Sequence, residues 1–237
     1  MKTVYHAAHT RGHQDHGWLK ANHSFSFANW HNPERVHFGA LRVLNDDYIA
    51  PSMGFGTHPH DNMEIITIPL VGDLEHQDSM GHGAVIREGD IQVISAGTGI
   101  HHSERNARKD KQVELLQLWI FPNQKDVSPR YDQISIRDLK KKNEFYQILS
   151  PKTEDNGSWI HQNAWMHLGD FDQNTKTSYT LPEKGNGVYV FVIEGSVGIG
   201  TQKLSKRDAL GIWDTQTIDF SIEKNTRVLL IDVPLKF

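Results

Sequence analysis

The 237-residue chain has no cysteine, which excludes disulfides, thiolate nucleophiles and thiolate metal ligands. No apolar run approaches the ~20 residues that a membrane-spanning helix needs. The first residues, Met1-Lys-Thr-Val-Tyr-His-Ala-Ala-His9, lack the apolar stretch of a secretory leader. A formal charge of −4 at pH 7 gives no electrostatic reason to bind nucleic acid or an anionic membrane. Dinucleotide and Walker loops, the Gly-x-Ser-x-Gly elbow and His-Glu-x-x-His are all absent. Strong amphipathic helices are missing as well. A cytoplasmic protein that is mainly β fits these exclusions.

Histidine, by contrast, is abundant, with 15 residues concentrated in the first hundred. Short runs of strand-type residues recur with turn signals about every ten residues, the pattern of a sandwich or barrel. Ser24–Ala28 and Phe38–Leu44 read as strands, the second closed by a turn at Asn45-Asp46-Asp47. Met63–Val71 and Leu74–Asp78 read as a hairpin joined at Gly72-Asp73. Residues 122–145, with Pro122, Pro129 and Lys140-Lys-Lys142, read as a solvated connection. The strand pattern then returns, and the second half echoes the first without any His-x-His pair. The expected division is therefore 1–135, carrying a metal site, and 136–237, without one.

Gly54 to Glu75 is the most informative stretch. His58 and His60 stand at i and i+2, on one face of a strand. Pro59 between them lacks an N–H and suits a strand start or edge. In Ser95-Ala-Gly-Thr-Gly-Ile-His-His-Ser-Glu104 the same spacing recurs at His102 and Glu104. Two such strands facing each other inside a barrel bring three imidazoles and a carboxylate together. That donor set suits iron(II), manganese, nickel, cobalt or zinc, and leaves coordination positions free for substrate or O₂. His101 has the wrong parity to share the site. Glu64 has the parity of His60 if the strand runs on unbroken, and then orients a ligand or acts on substrate. The Gly72 turn leaves the direction of His76 open.

In these stretches, together with Gly17-Trp18-Leu19, Glu75-His-Gln-Asp-Ser79 and Gln117-Leu-Trp119, the chain resembles the pirins of the cupin superfamily, and among them bacterial pirins with quercetinase activity. The resemblance implies two tandem cupin barrels (double-stranded β-helix, jelly-roll), with metal only in the first. It implies His58, His60, His102 and Glu104 as ligands of one divalent ion, iron(II) first and nickel, manganese, cobalt, copper or zinc next. It further implies a dioxygenase that cleaves a flavonol-like aromatic with O₂, with Glu104 or Glu64 taking the substrate's hydroxyl proton. The alternative is a regulatory pirin that binds a transcription factor or metabolic enzyme without turnover. The chain itself is expected to be a monomer.

Overall fold

The alternation in the sequence produces 22 strands and one short 3-10 turn at Ala8–Thr10. The computed structural model describes residues 1–237. No helix is long and apolar enough to cross a membrane. The strands form two seven-stranded and two four-stranded sheets, one of each kind per half. In the first half the large sheet runs Arg130–Ser135, Asp90–Ser95, Glu64–Val71, Val113–Ile120, Leu41–Ile49, Leu19–His23, Gly12–Asp15. In the second it runs Lys2–His6, Ala209–Trp213, Asn186–Glu194, Thr226–Pro234, Trp165–Phe171, Phe145–Ser150, Ser158–Trp159. Over the five inner positions the chain order is the same; the ends differ, since the N-terminus contributes Lys2–His6 to the second half and Ser158–Trp159 follows and runs parallel to its neighbour, where Gly12–Asp15 precedes and runs antiparallel to its own. The echo in the sequence is thus an echo of topology, that of two cupin-type barrels.

Four sequence expectations change here. Glu64–Val71 and Asp73–Asp78 do not pair with each other: the first lies in the large sheet and the second in the small one. Gly72, with φ of +80°, turns the chain from one sheet to the other rather than closing a hairpin. The strand beginning at Leu41 does not stop at Asn45 but continues to Ile49. Within the 122–145 connection, Arg130–Ser135 forms an edge strand on Asp90–Ser95. Ser24–Ala28 is irregular, although Phe25 is still buried in the core.

The two large sheets pack face to face around a core of 28 buried residues. Ile66, Ile68, Leu116 and Leu118 come from one half, and Met166, Leu168, Phe191 and Leu229 from the other. The interiors of the two barrels differ. The second is filled by 16 buried apolar residues. The first has only two smaller groups, around Leu115 and Leu74 at one end and around Ile65 and Ile94 at the other. A polar row separates them. Paired inward positions run His23, Asn45, Gln117, Thr67, Gln92 across five strands. Evenly apolar alternation fills a barrel, and this row keeps one open.

The halves are also held by a buried ion group. Asp46 Oδ2 meets Arg11 Nη1 at 3.1 Å and Arg207 Nε at 3.4 Å, all three side chains being at most 10% exposed. Removing the carboxylate leaves two buried guanidiniums facing each other. Asp46→Ala is expected to lower stability by about 3–5 kcal/mol, read in urea as a lower midpoint at unchanged slope.

Candidate metal centre

Two strands of the small sheet build the site. Gly54–His60 and Ile100–Asn106 run antiparallel, with His58 directly opposite His102. Opposite residues in such a pair lie close enough for side-chain contact. The register then slips, so that Glu104 faces Phe55, with Gly56 and Thr57 forming a bulge. The strands approach so closely at Gly54 that a Cβ there would overlap the backbone of Glu104 and Arg105. Glycine at 54 is a steric requirement of the site.

The three imidazoles converge. Ring centroids lie 5.0 Å apart for His58 and His60, 4.4 Å for His58 and His102, and 4.9 Å for His60 and His102. One nitrogen from each lies within 4.8 Å of the others. His58 Nδ1–H donates to the Gly56 carbonyl at 2.8 Å, so Nε2 is the ring nitrogen left to meet an ion. Burial, with the neighbouring imidazoles adding to it, pushes His102 down to about 3. Burial does the same to His60, at about 4. Both are therefore neutral donors at physiological pH. Neither nitrogen of His102 has a hydrogen-bond partner, although the residue is 1% exposed.

Glu104 is buried beside them. Its Oε2 accepts from Gln117 Nε2–H at 2.9 Å, and Gln117 Oε1 accepts from Trp119 Nε1–H at 3.3 Å. Its Oε1 has no partner. Burial raises the carboxyl above its ordinary range, against the pull of Gln117 and the nearby histidines. The unpartnered nitrogens of His102 and the buried Glu104 carboxylate, beside the imidazoles of His58 and His60, form an N₃O donor set that fits a divalent transition ion.

The remaining sequence candidates separate. His101 is exposed, as its parity requires. His76 turns inward: it is fully buried, and its ring lies 5.4 Å from that of His102. Its Nε2 meets Asp78 at 3.0 Å, its Nδ1 has no partner, and the residue belongs to a second close group with His102 and Glu104. Glu64 does not join the cluster. Asn62, with φ of +43°, breaks the strand after His60, and the chain resumes in the other sheet. There Glu64 has the parity of Ile66 and Ile68, which face the second half. Its carboxyl accepts from Ser95 Oγ–H at 2.8 Å, and burial raises it to about 7.

The cluster opens into a cavity of ≈ 540 Å³, within the range of small-molecule sites. Its walls include Trp18, Phe27, Phe55 and Trp119, and its floor includes His23, Asn45, Asp47 and Gln117. Sequence reasoning placed Asn45 and Asp47 in a turn and gave neither them nor Gln117 a part in the site. The available signal was polar residues at alternate positions within strands otherwise apolar on that face. Burial, with Asp46 and Glu104 adding to it, holds the Asp47 carboxyl well above the usual range. In the second barrel the corresponding strand pair presents Tyr179, Ile218, Phe220 and Ile222 to the interior, all in the apolar cluster.

Two barrels that share their central strand order, one apolar and one hollowed around three histidines and a glutamate, define a two-barrel cupin with its site in the first barrel. Within that class the chain belongs to the pirin family. The pirin family profile matches residues 4–120, and the profile of the quercetinase C-terminal cupin domain matches residues 147–233. Quercetin 2,3-dioxygenase of Escherichia coli K12 is 40% identical over 227 residues, 96% of each chain. A pirin-like protein of Caulobacter vibrioides is 35% identical over 222 residues, covering 93% of this chain and 95% of its own. The crystal structure of the bacterial pirin YhhW of E. coli, in complex with nickel(II), superposes with a TM-score of 0.92 at 38% identity. That match covers 98% of this chain and 99% of the other.

Proposed function

We propose that this pirin is a metal-dependent dioxygenase that opens the central ring of flavonols with O₂ and releases carbon monoxide. The active site is assigned to a first domain of residues 1–135, with 136–237 as a metal-free companion. His58, His60, His102 and Glu104 are the proposed ligands of a single ion, iron(II) in the native enzyme. The observation that carries the reading is the aromatic-walled cavity ending on a cluster of three imidazoles and a buried carboxylate. Kinship with E. coli quercetin 2,3-dioxygenase supports it.

The bound ion would supply Lewis acidity toward the flavonolate and a place for O₂. The protein's part is positioning and proton transfer. Trp18, Phe55 and Trp119 give a planar guest apolar faces to lie against. The Trp119–Gln117–Glu104 chain fixes one carboxylate oxygen and leaves Oε1 free to take the proton of the flavonol 3-hydroxyl. Removing water from around that carboxylate makes it a stronger base than an exposed one.

Anaerobically purified, iron(II)-loaded protein is the test. On admitting O₂ with quercetin, one O₂ should be consumed and one carbon monoxide released per flavonol. Uptake without carbon monoxide would assign a different oxygenase, and no uptake would remove the enzymatic reading altogether.

A further inference from the structure

The cavity has a second polar region, on the large sheet rather than on the strand pair that carries the three histidines, that the proton chemistry at Glu104 does not use. On the Leu19–His23 and Leu41–Ile49 strands, His23 pairs with Asn45 and Ala21 with Asp47, and all four residues line the cavity. His23 Nδ1–H donates to Asn45 Oδ1 at 2.8 Å. That bond fixes the tautomer, so the proton sits on Nδ1 and Nε2 offers a bare lone pair. His23 Nε2 and Asp47 Oδ1 have no hydrogen-bond partner in the protein, although their residues are only 2% and 5% exposed.

Two buried acceptors without donors are unfavourable for the free protein. They sit in neighbouring inward rows of adjacent strands. Around them are aromatic edges: Phe27 lies 5.2 Å from the His23 ring and 5.2 Å from Trp119, and Trp18 lies 5.3 Å from Phe55. A guest that satisfies this region is flat and brings hydrogen-bond donors. We propose that His23 Nε2 and Asp47 Oδ1 form a hydroxyl-binding subsite, taking phenolic hydroxyls on the part of an aromatic guest that lies against the large sheet. That the guest is a flavonol rests on the preceding reading; the acceptor pair does not.

The subsite makes the protein selective by what it leaves unpaired. A guest without ring hydroxyls fills the same volume but strands both acceptors, and a site built on hydrogen bonds discriminates strongly against such an analogue. The complementary probes are quercetin and 3-hydroxyflavone, which share the metal-facing atoms and differ in the remaining hydroxyls.

Binding of both is measured by quenching of tryptophan fluorescence on metal-loaded protein without O₂, for wild type, Asp47→Leu and His23→Phe. Wild type should hold quercetin at least about tenfold more tightly than 3-hydroxyflavone. Asp47→Leu should reduce that ratio about tenfold by weakening quercetin alone, with metal content unchanged. His23→Phe should act in the same direction, and it decides the matter if the leucine variant does not fold. Equal weakening of both guests, an unchanged ratio, or a wild type without preference would overturn the subsite. Absence of O₂ uptake by wild type would remove the dioxygenase reading but leave the anaerobic ratio to judge the subsite on its own.

Discussion

His102→Leu should abolish metal binding while leaving the metal-free protein as stable as before, or slightly more so. His102 lies between His58 and His60 on one side and His76 on the other. An imidazole that served the fold would hydrogen-bond through at least one nitrogen, and His102 does so through neither. Burying polar nitrogens without partners costs about 1–3 kcal/mol. Leucine removes that cost and keeps most of the volume. A ligand has the opposite signature once the ion is present. Since altered partners of metal ligands already cost about 10–100-fold in affinity, loss of His102 itself should exceed the upper end of that range. Competition with a chelator reads the affinity, and thermal unfolding with and without the ion reads the rest. The metal-free midpoint should hold, and the upward shift on metal addition should vanish. A large drop in the metal-free midpoint with affinity retained would make His102 a core residue and remove the basis of the centre.

The part of this site that was legible in the sequence was what strand geometry alone determines. His58 with His60, and His102 with Glu104, needed only the two-residue period, and the register places His58 opposite His102. What failed were inferences across a break in the chain. Glu64 shares the parity of His60, but a left-handed residue at Asn62 intervenes and the chain enters another sheet. The Met63–Asp78 hairpin failed for a related reason. A Gly-Asp pair marks a reversal in a hairpin and a sheet-to-sheet corner in a barrel, and local sequence does not separate the two.

Asn45-Asp46-Asp47 is the most instructive case. Three polar residues in a row are ordinarily a turn. Here they are central in a nine-residue strand, because each has a partner or a purpose that local sequence cannot display. Asp46 faces the second half and meets Arg11 and Arg207, 35 and 161 positions away in the chain. Asn45 and Asp47 face inward onto a barrel that is not filled. The same hollowness separates the two halves in function. Topology is shared between them, and the side chains on the small sheet decide which barrel has room for a guest.

Glu104→Gln is expected to lower kcat for flavonol cleavage by about 10²–10⁴-fold, the usual weight of a lost general base, and Glu64→Gln to change it less than about threefold. The contrast tests position against residue type, since both are buried glutamates whose carboxyls burial raises. Glutamine at 104 keeps the shape and can still accept from Gln117 through its amide oxygen, but its remaining group is a donor that cannot take a proton. At 64 the carboxyl bonds to Ser95 on the face directed at the second half, so the amide alters that junction rather than the cavity. Metal content measured alongside separates the two roles of Glu104: with the three histidines intact the variant should retain an ion, more weakly held, so turnover is compared at full occupancy. Equal losses at 64 and 104 would mean that the proton route runs through the sheet rather than along the Trp119–Gln117–Glu104 chain. A fully active Glu104→Gln enzyme would leave the flavonol proton without an acceptor among these residues and defeat the assignment.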